Sequence, residues 1–313
     1  MNHDLILHHY PASPFAEKVR LILGYKKLAW KSVVIPMVMP KPDLMALTGG
    51  YRKTPVLQIG ADIYCDTALI CDVLERIQPL PTLYPAHNKG VARVIAQWAD
   101  NSLFWAAMGH NFKPQGAAQM FAGAPPETGK MFAEDRAKMR IAVPRLGSAD
   151  AAAAYKSYLR RLANMLEEQA FLLGAQPCVA DFSAYHPLWF TRHRTSAMAG
   201  ILDATPAVLA WMDRMSALGQ AQSGSLGAQD AIAIAVQSTP APLNNEVFQD
   251  EHGIALGSLV TIAADSFGPE PTTGELIAAT RMHYTLRRVD ERAGAVHVHF
   301  PRIGYVMRAV PAP

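Results

Sequence analysis

The first 80 residues alternate between short apolar runs and apolar positions at helical spacing. The run at 5–7 predicts a strand, and the apolar residues of 15–23 recur three and four positions apart, as on one face of a helix. Further strand-like runs lie at 33–35, 56–59 and 63–65. A second helical repeat begins at Asp66. The predicted order of elements in this region is β-α-β-α-β-β-α.

The hydrophobic pattern then changes at two turn-forming segments. PLPTLYP (79–85) holds three prolines that cannot lie inside one regular helix, and GQAQSGSLGAQ (219–229) is small and polar. Amphipathic helices are predicted between them, including 91–105 and 151–173. Extended patterns follow the second segment, at 259–263, 276–289, 295–300 and 304–310.

These patterns divide the chain into three predicted domains. Residues 1–80 combine a β-α-β half with a β-hairpin and a helix, which is the thioredoxin-like arrangement of an α/β domain. Residues 86–218 are predicted to be all-helical. Residues 228–313 are predicted to form a small β-rich domain, docked on the rest and not needed for any chemistry located in the first domain.

Composition excludes several classes of protein. The chain has 313 residues, of which 50% are apolar and 18% charged, as in a globular protein. The net charge is +3 and no Lys/Arg run exceeds two residues, so no nucleic acid is expected as partner. No apolar run reaches the roughly 18 residues of a membrane span. Three cysteines without a CxxC pair favour a reducing compartment, and we expect a cytoplasmic protein.

Three segments, taken in order, resemble the soluble (cytosolic) glutathione transferase superfamily in its serine type. They are YPASPFAEKVRLIL (10–23), RKTPVLQIGADIYCDT (52–67) and VADF (179–182), and the resemblance covers about residues 4–215. It implies a thioredoxin-like domain that binds glutathione as co-substrate, a helical-bundle domain, a small-molecule electrophile as second substrate and a homodimer. The β-rich end departs from the family, which normally stops near residue 215.

Ser13 is the first candidate catalytic residue. It precedes Pro14 at a predicted helix start, where backbone N–H groups and the helix dipole favour negative charge. The resemblance implies that its hydroxyl stabilises the glutathione thiolate. A plain N-cap role explains the same residue, and Tyr10 is a rival donor at the end of the first strand.

Thr54-Pro55 is the second element of the resemblance. The resemblance implies a cis peptide bond before Pro55, and a glutathione cysteinyl backbone paired with the backbone of Val56. Arg52 and Lys53 stand directly before this proline and are candidate partners for the glycyl carboxylate through charge-assisted hydrogen bonds. Exposed loop cations are the alternative interpretation.

Asp66-Thr67 is the third element, at a strand-to-helix turn. An acidic residue and a hydroxyl at a helix start offer an anion for an ammonium group and N–H groups for a carboxylate, and the γ-glutamyl end of glutathione carries both. The family usually has Glu-Ser or Gln-Ser here. A simple N-cap role for Asp66 also fits the sequence.

The helical region holds seven soft, bulky side chains that suit either an adaptable electrophile pocket or an ordinary core: Trp105, Met108, Phe112, Met120, Phe121, Met131 and Phe132. In the β-rich end, His283, His297 and His299 have no carboxylate or cysteine at ligand spacing, and no metal is predicted.

The expected function is a detoxifying glutathione transferase that joins the glutathione thiolate to a small electrophile. Two alternatives stay open at this point. One is a noncatalytic glutathione-transferase-like module for binding or assembly, with the C-terminal region as its functional part. The other is a glutathione-dependent isomerase or lyase.

Overall fold

The N-terminal region contains the predicted order of strands and helices. The computed structural model describes residues 4–140, 146–243, 247–249 and 251–311. The first elements are β1 (Leu5–His9), α1 (Pro14–Tyr25), β2 (Trp30–Val34), α2 (Pro42–Thr48), β3 (Val56–Ile59), β4 (Asp62–Cys65) and α3 (Thr67–Ile77). Strand β1 pairs with β2 in parallel and with β3 in antiparallel orientation, and β3 pairs with β4. This is the predicted thioredoxin-like domain.

The middle region is helical, as predicted. Its helices are α4 (Lys89–Trp98), α5 (Phe104–Asn111), α6 (Pro114–Met120), α7 (Thr128–Lys138), α8 (Ser148–Met165), α9 (Val179–Trp189) and α10 (Pro206–Ser216). A π-helical turn at Ala99–Leu103 joins α4 to α5. Helix α9 packs against α1 and α4, so it lies between the two regions. Among the described residues, no helix is both long and apolar enough to cross a membrane.

The C-terminal region contains the predicted strands and one helix that the pattern missed. Its elements are β5 (Ser223–Ser225), α11 (Ala228–Gln237), β6 (Leu259–Ala264), β7 (Thr272–Ala279), β8 (His283–Asp290), β9 (Gly294–Pro301) and β10 (Tyr305–Ala309). The extended pattern at 276–289 covers two antiparallel strands, β7 and β8, which turn between Thr280 and Met282. The sequence AIAIAV in α11 alternates with period two, which is the pattern of a strand. The segment is nevertheless helical, and alanine, which favours helices, makes up much of it.

The C-terminal strands continue the N-terminal sheet. The strand order is β10-β6-β7-β8-β9-β4-β3-β1-β2-β5. Strands β6 to β10 join the N-terminal strands where β9 pairs in parallel with β4, and β5 pairs in parallel with β2 at the other edge. Ile63 of β4, Val298 of β9 and Ala231 of α11 are buried in one hydrophobic cluster. The β-rich region therefore shares both a sheet and a core with the N-terminal region.

Candidate functional site

A cavity of about 1210 Å³ opens between the N-terminal, middle and C-terminal regions. Its walls include Ser13 and Asp66 from the N-terminal region, Phe104 from the helices and Tyr305 from the C-terminal strands. The cavity therefore brings together residues from three parts of the chain that the sequence analysis treated separately.

Ser13 caps helix α1 and faces this cavity. Its Oγ accepts the backbone N–H of Ala16 at 3.2 Å, and its side chain is almost fully buried. Because that bond uses an oxygen lone pair, the hydroxyl hydrogen is still available to donate. The capping role and a donor role towards the cavity are thus compatible in one residue.

The peptide bond between Thr54 and Pro55 is cis, and both residues line the cavity. Val56 does not: it is fully buried inside the sheet and paired with both β1 and β4. The residue next to the proline that lines the cavity at this bend is therefore Thr54, one position before it.

Asp66 and Thr67 lie at the start of α3, on the same wall. Asp66 has a φ of 77°, a conformation that non-glycine residues rarely adopt and that costs on the order of 1–3 kcal/mol. Its Oδ1 accepts the N–H of Ala68 at 2.9 Å, and its Oδ2 accepts the hydroxyl of Tyr305 at 2.9 Å. Burial, followed by the charge of Asp66, raises the pKa of Tyr305, so that hydroxyl stays a proton donor.

A buried network of hydrogen-bonded polar groups holds the Thr67 side chain in place. Lys18 Nζ donates to Thr67 Oγ1 at 3.2 Å and to Asp100 Oδ2 at 2.6 Å, and Asp100 also bonds His186 at 3.0 Å. Burial opposes the charge on Lys18, but the Asp100 carboxylate outweighs it and raises the pKa of Lys18. Since Thr67 Oγ1 accepts from an ammonium group, its own hydrogen is free to donate into the cavity.

Arg52 and Lys53 have different surroundings. Arg52 is buried and bonded to two carboxylates, Asp135 at 2.6 Å and Glu270 at 2.5 Å. These bonds tie the N-terminal region to α7 and to the C-terminal region, and they occupy the guanidinium. Lys53 Nζ lies 3.8 Å from Asp66 Oδ2 and 4.8 Å from the centre of the Tyr305 ring, within the cavity wall.

Lys41 is a further cavity cation that the sequence analysis did not single out. Its Nζ donates to the backbone oxygen of Arg52 at 3.1 Å. Burial and the neighbouring Arg136 lower the pKa of Lys41 to about 7. With this pKa, Lys41 changes between its charged and its neutral form close to neutral pH.

Tyr10 lies at the edge of the same wall. Its hydroxyl accepts a bond of 3.3 Å from Arg136, and Arg136 also donates to the backbone oxygen of Met37 at 2.9 Å. Tyr10 and Ser13 both line the cavity, so the structure brings both candidate donors into it.

The opposite wall is apolar. Of the seven soft side chains singled out in the helical region, six line the cavity: Trp105, Met108, Phe112, Met120, Phe121 and Phe132. Met131 does not line the cavity and is half exposed. Phe267 from the C-terminal region packs edge-on against Trp105 at 5.1 Å between ring centres and extends this wall.

Two family models match the chain: the glutathione S-transferase N-terminal domain over residues 7–82 and the C-terminal domain over 133–214. A crystal structure of a GST-like protein from Pseudomonas syringae is 42% identical, covers 99% of this chain and 100% of its own, and superposes with a TM-score of 0.80. The chain belongs to the glutathione S-transferase family.

Two curated relatives are more distant. Pyrimidodiazepine synthase from Drosophila melanogaster is 33% identical over 76 residues, and the match spans 23% of this chain and 31% of that protein, about a third of its length. FtsZ-localized protein A from Caulobacter vibrioides is 22% identical over 196 residues, which are 59% of this chain and 75% of that protein.

Within this glutathione S-transferase fold, the sequence motifs locate the residues near the starts of α1 and α3. They do not locate Lys18 and Tyr305, whose side chains hydrogen-bond Thr67 and Asp66. Tyr305 lies in a distant strand and has no local pattern that marks a site, whereas Lys18 lies in helix α1. The signal available for Lys18 was a lysine on the apolar face of α1, where a buried charge requires a partner.

Proposed function

We propose that this chain is a glutathione transferase that joins the glutathione thiolate to a small electrophile. The observation that carries the proposal is the cavity itself. Ser13 at one helix start, Asp66 and Thr67 at another, and an apolar wall opposite them all face one space. Within the described residues nine basic and five acidic residues line it, which suits a tripeptide with two carboxylates and one ammonium group.

Each part of glutathione has a proposed partner in this wall. The Asp66 carboxylate holds the γ-glutamyl ammonium, while the Thr67 hydroxyl and the N–H groups at the start of α3 hold its carboxylate. The backbone of Thr54 beside the cis peptide bond takes the cysteinyl unit, in place of the buried Val56. Lys53 is the remaining cation of the Arg52–Lys53 pair for a carboxylate, because Arg52 is already paired twice.

Ser13 then stabilises the sulfur. The thiol loses its proton to solvent, the hydroxyl donates to the thiolate, and the sulfur forms a bond to the electrophilic carbon as the leaving group departs with its electron pair. Each unit by which the thiol pKa falls requires about 1.36 kcal/mol of preferential thiolate stabilisation. One hydrogen bond together with the helix dipole can supply one to two such units.

Calorimetric titration with glutathione tests the binding part of this proposal. Wild type is expected to bind glutathione, and Asp66→Ala to bind it at least tenfold more weakly, because the ammonium loses its anion. Asp203→Ala removes a carboxylate outside the cavity wall and serves as the matched control with unchanged affinity. Absence of binding by wild type at millimolar glutathione rules out every glutathione-dependent reaction.

A noncatalytic binding module is the second candidate. The similarity to FtsZ-localized protein A favours it, because the name of that protein describes where it is found rather than a reaction. Glutathione binding without conjugation of 1-chloro-2,4-dinitrobenzene or other activated electrophiles supports this candidate. A glutathione-dependent isomerase or lyase would convert its substrate without net consumption of glutathione, which a thiol assay measures.

We also propose a cytoplasmic homodimer. The three cysteines are free and buried, which is consistent with a reducing compartment. Proteins of this family pair the N-terminal region of one chain with the helices of the next, and two-fold closure is the commonest symmetry. Light scattering at micromolar concentration is expected to give twice 34.1 kDa, and a mass of 34.1 kDa contradicts the dimer.

A further inference from the structure

Three side chains with metal-binding atoms converge where the C-terminal strands join the N-terminal sheet. They are Asp62 on β4 and His297 and His299 on β9, and one ligand atom from each lies within 4.8 Å of the other two. His299 Nε2 is 2.9 Å from Asp62 Oδ1, and His297 Nδ1 is 3.8 Å from the same oxygen. The cluster is separate from the cavity and has no part in the proposed transferase chemistry.

The sequence could not reveal this cluster, since the carboxylate lies 237 positions before His299. The parallel pairing of β4 with β9 brings the Asp62 carboxylate next to the two histidines. In this pairing Asp62 is opposite His297 and Tyr64 is opposite His299. Residues 297 and 299 are two apart on one strand, so they lie on the same face of the sheet.

Surrounding groups hold two of the three side chains, His299 and Asp62, in place. Thr285 Oγ1 bonds the other ring nitrogen of His299 at 3.0 Å, and the Tyr64 ring stacks on the same imidazole at 4.5 Å. Asp62 Oδ2 accepts the backbone N–H of Ala241 at 2.7 Å, which leaves Oδ1 directed at the histidines. Outer contacts of this kind orient the ligands of metal sites in proteins.

One atom of the cluster lacks a partner. His297 Nδ1 is buried and has no hydrogen-bond partner among the described residues. A buried ring nitrogen without a partner is unfavourable unless it binds something else. The His297 side chain as a whole is 16% exposed, so the cluster lies close to the protein surface.

We propose that Asp62, His297 and His299 bind a divalent first-row transition metal ion, with Zn²⁺ as the best match, and that the ion fastens β9 to β4. Two imidazole nitrogens and one carboxylate oxygen, completed by water, form a tetrahedral zinc set, whereas Ca²⁺ and Mg²⁺ prefer oxygen ligands. All three ligands belong to the two outer pairs of a ladder of only three residue pairs. The ion therefore secures the short parallel junction between β9 and β4.

Calorimetric titration of the tag-free, chelator-treated full chain with zinc chloride tests the site. Wild type is expected to bind one ion per chain with micromolar or tighter affinity. His297→Ala removes the ligand whose nitrogen has no other partner among the described residues, and it is expected to weaken this binding at least tenfold. Asp62→Asn, which keeps an acceptor for Ala241, is expected to do the same. His87→Ala, an exposed histidine elsewhere, is the matched control with unchanged binding.

Two further readouts separate this site from surface binding of zinc. Cobalt(II) is expected to give the visible bands of tetrahedral coordination in wild type and not in His297→Ala. Zinc is expected to raise the unfolding midpoint of wild type but not that of the variant. Equal zinc affinity in wild type and His297→Ala, or an equal rise of both midpoints, overturns the proposal, as does a wild type that binds no zinc.

Discussion

Tyr305 and Asp66 lie 239 positions apart in the chain, yet a hydrogen bond of 2.9 Å joins their side chains in the wall of the cavity. This bond orients Oδ2 of Asp66, while the backbone N–H of Ala68 at the start of α3 orients Oδ1. Asp66 is thereby held in its unusual backbone conformation from two sides. A residue of the C-terminal strands thus shapes the part of the wall to which we assign the γ-glutamyl group.

Tyr305→Phe is expected to weaken glutathione binding about three- to tenfold, because the loss of one hydrogen bond to a carboxylate is worth about 1 kcal/mol. Calorimetric titration measures the change. Tyr284→Phe, in the same region but outside the cavity wall, is the matched control. Unchanged affinity in Tyr305→Phe would mean that Asp66 needs no help from the C-terminal strands.

The sequence predicts those site residues whose position follows from a local motif. Ser13, Pro55, Asp66 and Thr67 each lie at the start of a helix or strand, and the structure places all four in the cavity wall. Arg52 also lines the cavity, but its guanidinium is bonded to Asp135 and Glu270, and Val56 is buried within the sheet. Those outcomes depend on contacts with distant elements, which a motif does not contain.

At the scale of elements, the start of α9 shows how one buried carboxylate organises several segments. Asp181 Oδ2 accepts the N–H of Cys178, the capping position of this helix. Its Oδ1 accepts the N–H of Leu172 at 2.8 Å and the indole N–H of Trp211 at 2.9 Å. Since the Cys178 sulfur is a weak acceptor, Asp181 supplies most of the polar contacts at this helix start.

Asp181→Ala is expected to lower the free energy of unfolding by about 3 kcal/mol or more, because it leaves three buried N–H donors without an acceptor. Chemical denaturation measures this loss. The control is Asp213→Ala, which breaks an exposed ion pair with Arg192 and is expected to cost less than about 1 kcal/mol. A similar cost for both variants would show that the buried contacts contribute little.

The elements predicted best are those whose apolar residues recur with a regular period of a strand or a helix. The alternation in 295–300 and 304–310 corresponds to β9 and β10. The amphipathic pattern at 151–173 corresponds to α8, which ends eight residues earlier than predicted, at Met165. Helix α11 was missed because its alternating alanines and isoleucines also fit a strand. The pairing of β9 with β4 was not predictable, since strand order across more than 200 residues depends on the packing of the finished core.

At the scale of the whole molecule, the C-terminal region is continuous with the rest. Its strands extend the N-terminal sheet, α11 covers that sheet, and Phe267 and Tyr305 complete the cavity. Glu270 also pairs with Arg52 across the same boundary. The sequence pattern alone favours a docked, independent domain, while these contacts favour a shared core.

Truncation after Gln222 decides between these two expectations. From the shared sheet and core we expect the shortened chain to unfold at a lower temperature and to bind glutathione at least tenfold more weakly than the full chain. Circular dichroism and calorimetric titration measure the two effects. A stable shortened chain with wild-type affinity would support the independent domain instead.

The most direct measurement is a pH titration of the thiolate absorbance of glutathione bound to wild type, Ser13→Ala and Tyr10→Phe. The pKa of the bound thiol is expected to lie at least one unit below the value of about 8.5 for a free thiol in wild type and in Tyr10→Phe. In Ser13→Ala it is expected to return towards the free value, with affinity little changed. An unshifted pKa in wild type, or a lowered pKa that survives in Ser13→Ala, would contradict the role assigned to Ser13.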